Sequence, residues 1–200
     1  MGKRPYRLKK RAEARDETRE RILRATMELH DEKGVATTTF SDIAERAKVG
    51  PATVYRNFPT PSILIQTCGQ HVWADMRPPV PPEAPAAFDG VSGRRARLRR
   101  LLEVIEPFYR RNHFRLVRAG QDRHRVPELE YFLTAVAGGI EAHVREAMGE
   151  DATARDVALV LALTDLRVWV SLHERLPEAD LQEELYRLIA SALGLSAADG

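Results

Sequence analysis

The sequence predicts an all-α protein. Apolar residues recur at helical spacing along most of the chain, and no stretch sustains the two-residue alternation of a half-buried strand. Glycine, proline and asparagine also fall where periodic segments end. Together these signals give about nine helices.

The first helix is expected from about Glu17 to Lys33, with Ile22, Ala25, Thr26 and Leu29 on one face and Gly34 able to end it in the left-handed conformation. Thr37, Thr38 and Thr39 then offer hydroxyl caps to a short helix opening at Phe40. Lys48-Val49-Gly50 interrupts the pattern, and Pro51 suits the first turn of a third helix, about Pro51–Asn57. Pro59-Thr60-Pro61 breaks the chain before a fourth helix reaching to about Met76. Five of the twelve prolines lie between Pro78 and Pro85, so this stretch is read as an extended, semi-rigid connector.

Five helices are expected beyond it: about Gly93–Arg111 with a kink at Pro107, His113–His124 after a break at Asn112, Pro127–Gly149, Ala152–Glu174 and Glu178–Leu193. The run Val157–Leu163 is apolar on nearly all sides, so its helix must be covered from more than one direction.

Composition narrows the function classes. That run is the longest apolar one, far short of the roughly 20 residues that cross a bilayer. The basic start lacks the apolar stretch of a secretory signal. The single cysteine, Cys68, excludes an internal disulfide framework and is expected in the core. A cytoplasmic location without membrane partners is therefore expected. No phosphate-binding loop, nucleophile elbow or paired-histidine zinc motif is present, so no catalytic residue, cofactor or metal site is assigned. The net charge of +2 hides an asymmetry, because residues 1–60 carry 14 Lys+Arg against 9 Asp+Glu while the remainder is net acidic. A basic end on a near-neutral body suggests a polyanion partner, a solvated tail being the alternative. The second basic cluster, Arg94–Arg100, is read as an ion-paired or solvated face.

Residues 40–58 carry the most specific pattern: two short helices around a turn containing Gly50, with Ile43, Ala47, Val49, Val54 and Phe58 spaced to pack against the first helix. That is a helix-turn-helix arrangement, although similar helix pairs also occur in proteins that bind no DNA.

The stretch Arg19-Glu20-Arg21-Ile22-Leu23, Gly34, Thr38-Thr39-Phe40-Ser41-Asp42-Ile43-Ala44, Val49 and Ala52-Thr53-Val54-Tyr55-Arg56-Asn57-Phe58 resembles the N-terminal domain of TetR-family transcriptional regulators. The match covers about Thr18–Leu64 without a gap. Lys48 and Gly50 stand where the family usually has Gly and Ser, and Pro61-Ser62 replaces a frequent Lys-Glu, which removes a hydroxyl cap and a phosphate-contacting lysine. With the basic arm read from charge at 1–16, the resemblance implies a DNA-binding domain at 17–60 and a helical effector-binding and dimerisation domain at 61–200.

It further implies that the third helix enters the major groove of a double-stranded, palindromic operator. Gly50, Pro51, Ala52, Thr53 and Arg56 would face bases, and Tyr55 and Asn57 would lie nearer phosphates. Arg56 can contact guanine with two donors. Thr38 and Thr39 can offer phosphate their hydroxyl or N–H groups, and Lys48 supplies further charge. A homodimer through the last two long helices and a repressor released by a small-molecule effector complete the expectation. Tyr109, Arg118, Gln121, Asp165 and Trp169, polar or amphipathic residues among apolar neighbours, are the candidate effector contacts. The competing reading is an all-helical carrier or scaffold without DNA binding.

Overall fold

The computed structural model describes residues 3–195, excepting the side chains of 3–8 and 11. The described residues form helices α1 (Lys3–Lys33), α2 (Phe40–Arg46), α3 (Pro51–Asn57), α4 (Pro61–Met76), α5 (Ala84–Ala87), α6 (Arg94–Asp122), α7 (Pro127–Met148), α8 (Ala154–Leu163), α9 (Leu166–His173) and α10 (Leu181–Ala192). No strand occurs among them. They divide into two compact units, Met1–Asp75 with Val117–Phe132, and Met76–Leu116 with Leu133–Gly200.

In the first unit Ile22, Leu23, Ala25 and Leu29 of α1 pack with Ile43, Ala44 and Ala47 from α2 and its end, Val54 and Phe58 around α3, and Leu64 and Cys68 of α4. The residues expected to hold the helix-turn-helix together are therefore its core, with Val49 partly buried against them. Thr26, fully buried, donates its hydroxyl to Ile22 O at 2.7 Å and needs no other partner. The end of α6 also belongs to this unit: the Asp122 carboxylate accepts the Ala36 N–H at 3.0 Å.

Four boundaries differ from those the pattern predicts. Helix α1 begins at Lys3 rather than Glu17, because Arg, Lys, Ala and Glu are strong helix formers and Pro5 falls in the first turn. Helix α6 continues past Asn112 as one helix of 29 residues, joining the two expected on either side of it. The buried Asn112 amide donates to Phe108 O at 2.9 Å and Met76 O at 3.3 Å, so it anchors the helix instead of breaking it. The expected helix over 152–174 is split, because the Asp165 carboxylate accepts the Arg167 N–H at 2.8 Å and starts α9 afresh. The connector is not extended throughout: Pro81–Glu83 forms a 3₁₀ turn leading into α5, and Pro78 and Pro79 are buried.

The second unit's core includes Leu98, Leu101, Leu102, Ile105 and Phe108 of α6, Val144 of α7, Val160, Trp169 and Ile189. The Arg94–Arg100 cluster is largely ion-paired, as its composition suggests. Arg97 meets Glu146 at 3.0 Å, Arg99 meets Glu183 at 2.8 Å and Arg100 meets Glu103 at 3.1 Å. Arg99 also lies 3.8 Å over the Tyr186 ring. No described helix is long and apolar enough to cross a membrane.

Candidate nucleic-acid interface

Capping chemistry sets the entry into α2. Thr39 accepts the Asp42 N–H at 3.2 Å, while the Asp42 carboxylate accepts the Thr39 N–H at 2.8 Å and its hydroxyl at 2.7 Å. Lys33 donates to the same carboxylate at 2.6 Å. The Lys33 ammonium, then the Thr39 groups, hold the Asp42 carboxyl well below the usual carboxylate range. Arg46 fastens α2 to α1 by donating to Glu32 at 2.7 and 2.8 Å and to Glu28 at 3.3 Å. The other threonine, Thr38, donates to Gly34 O at 2.7 Å.

The turn into α3 closes through hydrogen bonds from Val49 N to Ala44 O (2.9 Å) and from Lys48 N to Glu45 O (3.1 Å), with Lys48 left-handed at φ 54. Gly50 occupies the N-cap of α3 without a side-chain bond, followed by Pro51. The far end of α3 is held from α1: Arg19 donates to Asn57 O at 3.0 Å and lies 4.2 Å over the Phe58 ring.

With Val54 and Phe58 turned inward, α3 leaves Pro51, Ala52, Tyr55 and Arg56 exposed. Lys48 and Gly50 are exposed beside them. Thr53 and Asn57 are half-buried, and the Asn57 amide donates to Thr53 O at 2.8 Å. Arg56 touches Thr53 Oγ1 at only 3.4 Å, which leaves its guanidinium available for other acceptors. Tyr55 rests on Phe40 with ring centroids 4.8 Å apart.

Between α3 and the middle of α1 lies an open groove of about 620 Å³, bounded by Arg15, Thr18 and Arg21 on one side and Gly50, Thr53 and Arg56 on the other. The sequence reading missed Arg21. Its spacing from Arg15 and Thr18, three residues at a time along α1, was the available signal. Lys9 and Lys10 are exposed on the same helix, whereas the side chains of Lys3, Arg4, Arg7 and Arg11 lie outside the described residues. A groove flanked by arginines next to an exposed helix face can take a polyanion backbone and leave Arg56 for base edges.

The candidate effector residues are divided. Tyr109 and Trp169 meet in the second unit with centroids 5.8 Å apart, both buried. Tyr109 donates its hydroxyl to Thr164 O at 3.1 Å, and burial, then the Asp165 charge, pushes its phenol well above the usual range. Asp165 is exposed and engaged in capping α9. Arg118 and Gln121 belong to the first unit. Sequence reasoning missed His113 and His173, whose rings lie 5.3 and 4.6 Å from that of Trp169. Among the described residues, Trp169 Nε1 and His173 Nδ1 are buried without a hydrogen-bond partner. No group of three metal-ligating side chains occurs among the described residues. Burial pushes the Cys68 thiol up to about 12, which makes it unreactive at neutral pH.

Residues 22–61 match the profile of the bacterial regulatory proteins of the tetR family. The chain is 32% identical over 150 residues to the HTH-type transcriptional repressor Rv3405c of Mycobacterium tuberculosis, covering 74% of this chain and 71% of that protein. Over 49 residues it is 45% identical to the HTH-type transcriptional regulator YvkB of Bacillus subtilis, 24% of this chain and 26% of that one. Among solved structures, Salmonella enterica GusR matches with a TM-score of 0.52 at 21% identity, covering 88% of this chain and 95% of that chain. A Mesorhizobium loti protein described as a TetR-family transcriptional regulator matches at 0.54 and 15%, covering 90% and 97%. These two share the fold, and the 150-residue match to Rv3405c is longer than the first unit, so it extends the likeness past the helix-turn-helix. The chain is a DNA-binding transcriptional regulator of the TetR family.

Proposed function

We propose that the protein is a homodimeric repressor that binds a palindromic operator through α3 and releases it when a small molecule binds the second unit. The observation that carries the DNA-binding assignment to particular residues is the exposed face of α3 beside the arginine-flanked groove of α1. In this reading Arg56 addresses a base, with Gly50, Pro51, Ala52 and Thr53 lining the approach to the major groove. Thr38, Thr39, Lys48, Tyr55 and Asn57 serve phosphates, joined by Arg15 and Arg21.

The second copy would cover the outer faces of the last helices, where Ala158, Ala162 and Leu188 are exposed and Leu159 and Leu161 half-buried. Effector binding is supported by the two ring nitrogens without a partner among the described residues in the cluster of Tyr109, His113, Trp169 and His173, since a buried polar nitrogen without a partner favours a ligand that supplies one. Coupling requires the effector to bind the DNA-incompetent form more tightly, and a change of about 5–150-fold in operator affinity is expected.

Selection from a random duplex library, followed by titration at several salt concentrations, tests this directly. Enrichment of a two-fold symmetric site and a steep fall of affinity with salt are expected. Failure to enrich any sequence would overturn operator binding, and a sedimentation mass of one 22.6 kDa chain at micromolar concentration would overturn the dimer.

A further inference from the structure

A second groove, about 380 Å³ in volume, lies wholly within the second unit between the connector and α6. Val104, Phe108 and Arg111 form one wall, spaced four and three residues apart on a single face of α6. The opposite wall is Arg77 with the buried Pro78 and Pro79, a segment of fixed backbone. That wall is pressed onto α7: a Cβ added at Gly139 would lie 1.8 Å from the Pro79 carbonyl oxygen. His143, only 2% exposed, also lines the groove and contacts Gly139 O through Nδ1 at 2.8 Å. That contact assigns the proton of a neutral imidazole to Nδ1 and leaves Nε2 an acceptor.

The two arginines differ from their neighbours. Arg97, Arg99, Arg100 and Arg110 on α6 all have acidic partners. Arg77 and Arg111 have no ion pair or hydrogen bond among the described residues, although both border the same cavity. Arg77 also holds a left-handed backbone (φ 48) that a non-glycine residue adopts rarely, and such strain persists where surrounding structure enforces it. Two unpaired guanidinium groups beside Phe108, Val104 and Pro79 suit a ligand with an anionic head and an apolar body. Glu83, which lines the same groove, disfavours a second negative charge and so favours a monoanion.

We propose that this groove binds a small monocarboxylate with an apolar body, its carboxylate held by Arg77 and Arg111 and its body against Phe108. The proposal goes beyond, and rests on, the reading of the second unit as effector-responsive: the groove shares no lining residue with the cluster around Trp169. It names the ligand's chemical class and a site that needs no contribution from the first unit.

Calorimetric titration of the full-length protein with phenylacetate, indole-3-acetate and octanoate, each against its neutral amide, tests the proposal. At least one acid should bind with Kd of about 1 mM or tighter, and at least about tenfold more tightly than its amide. Arg77→Gln combined with Arg111→Gln should remove that preference, whereas Arg125→Gln, at an exposed position in the first unit, should leave it intact. Equal affinity for acid and amide, unchanged binding by the double variant, or no acid binding tighter than about 1 mM would each overturn the groove assignment. Operator affinity measured alongside separates the two readings. Acid binding that depends on both arginines but leaves operator affinity unchanged keeps the groove and removes induction through it. Release of operator by an acid that the double variant still obeys keeps induction and removes the groove.

Discussion

The backbone N–H of Val49 donates to the Ala44 carbonyl at 2.9 Å across a turn whose left-handed position is occupied by Lys48 at φ 54. Glycine adopts that conformation freely, whereas an L side chain costs about 1–2 kcal/mol there. The cost is local, and it places an ammonium group at the entrance to α3. Lys48→Gly should therefore raise the unfolding free energy by about 1 kcal/mol. The same change should weaken DNA binding and lower the slope of log K against log salt by about one, the share of a single neutralised phosphate. Chemical denaturation and salt-dependent titration read the two effects separately. A stabilised variant with unchanged affinity and slope would show that the Lys48 charge does not touch DNA.

Gly138 and Gly139 are adjacent on α7, yet their substitutions should have opposite signs. Alanine in a helix interior normally stabilises by up to about 1 kcal/mol relative to glycine. At Gly138 nothing lies within 4 Å of an added Cβ, so Gly138→Ala should realise about 0.5–1 kcal/mol of that gain. At Gly139 the Pro79 carbonyl oxygen is 1.8 Å from the new atom, and both partners are backbone. Gly139→Ala should destabilise by roughly 1–3 kcal/mol. Thermal melts of the two variants decide it. Two stabilised proteins would show that the connector does not press on α7.

The helix-turn-helix region is legible in the sequence because short helices announce themselves through caps and small core residues. Thr39 with Asp42, Pro51 at a first turn, and inward Ile43, Val54 and Phe58 are local or periodic signals. What fails is the assumption that charge or a polar residue ends a helix. The basic residues before Glu17 suggest a tail, but their helix propensity outweighs mutual repulsion along α1. Asn112 satisfies its amide inside α6, while Thr164-Asp165, hidden in an apolar run, provides a fresh cap. The groove at Arg77 and Arg111 is not legible at all, because it depends on the connector folding back against α6, a long-range approach no sequence window contains.

His30 links the first unit's stability to pH. Burial lowers its imidazole from 6.5 to about 4, against the opposing pull of Asp31 and Asp122. Between those values the unfolded chain binds more protons than the folded one, so stability rises with pH through this window. It is fully present above pH 6.5 and lost as pH falls towards about 4. Urea midpoints across that range should show a loss of roughly 1–3 kcal/mol that His30→Gln flattens. A variant profile parallel to that of the parent would assign the acid sensitivity elsewhere.

Arg56 and Arg21 border one groove but should behave differently on DNA. Arg56 is the one cationic side chain on the exposed face of α3, and its 3.4 Å approach to Thr53 leaves the guanidinium able to reach a guanine edge. Arg21 is exposed on α1, across the groove, where our proposal assigns it to a phosphate. Arg56→Ala should weaken specific binding by roughly 1–3 kcal/mol and relax one base position, with little loss on random duplex. Arg21→Ala should weaken binding to all sequences alike and reduce the salt slope by about one. Repeating the duplex selection with each variant distinguishes base readout from backbone contact. A uniform loss for Arg56→Ala would move that residue to the phosphates and leave base recognition to the short side chains of Pro51, Ala52 and Thr53.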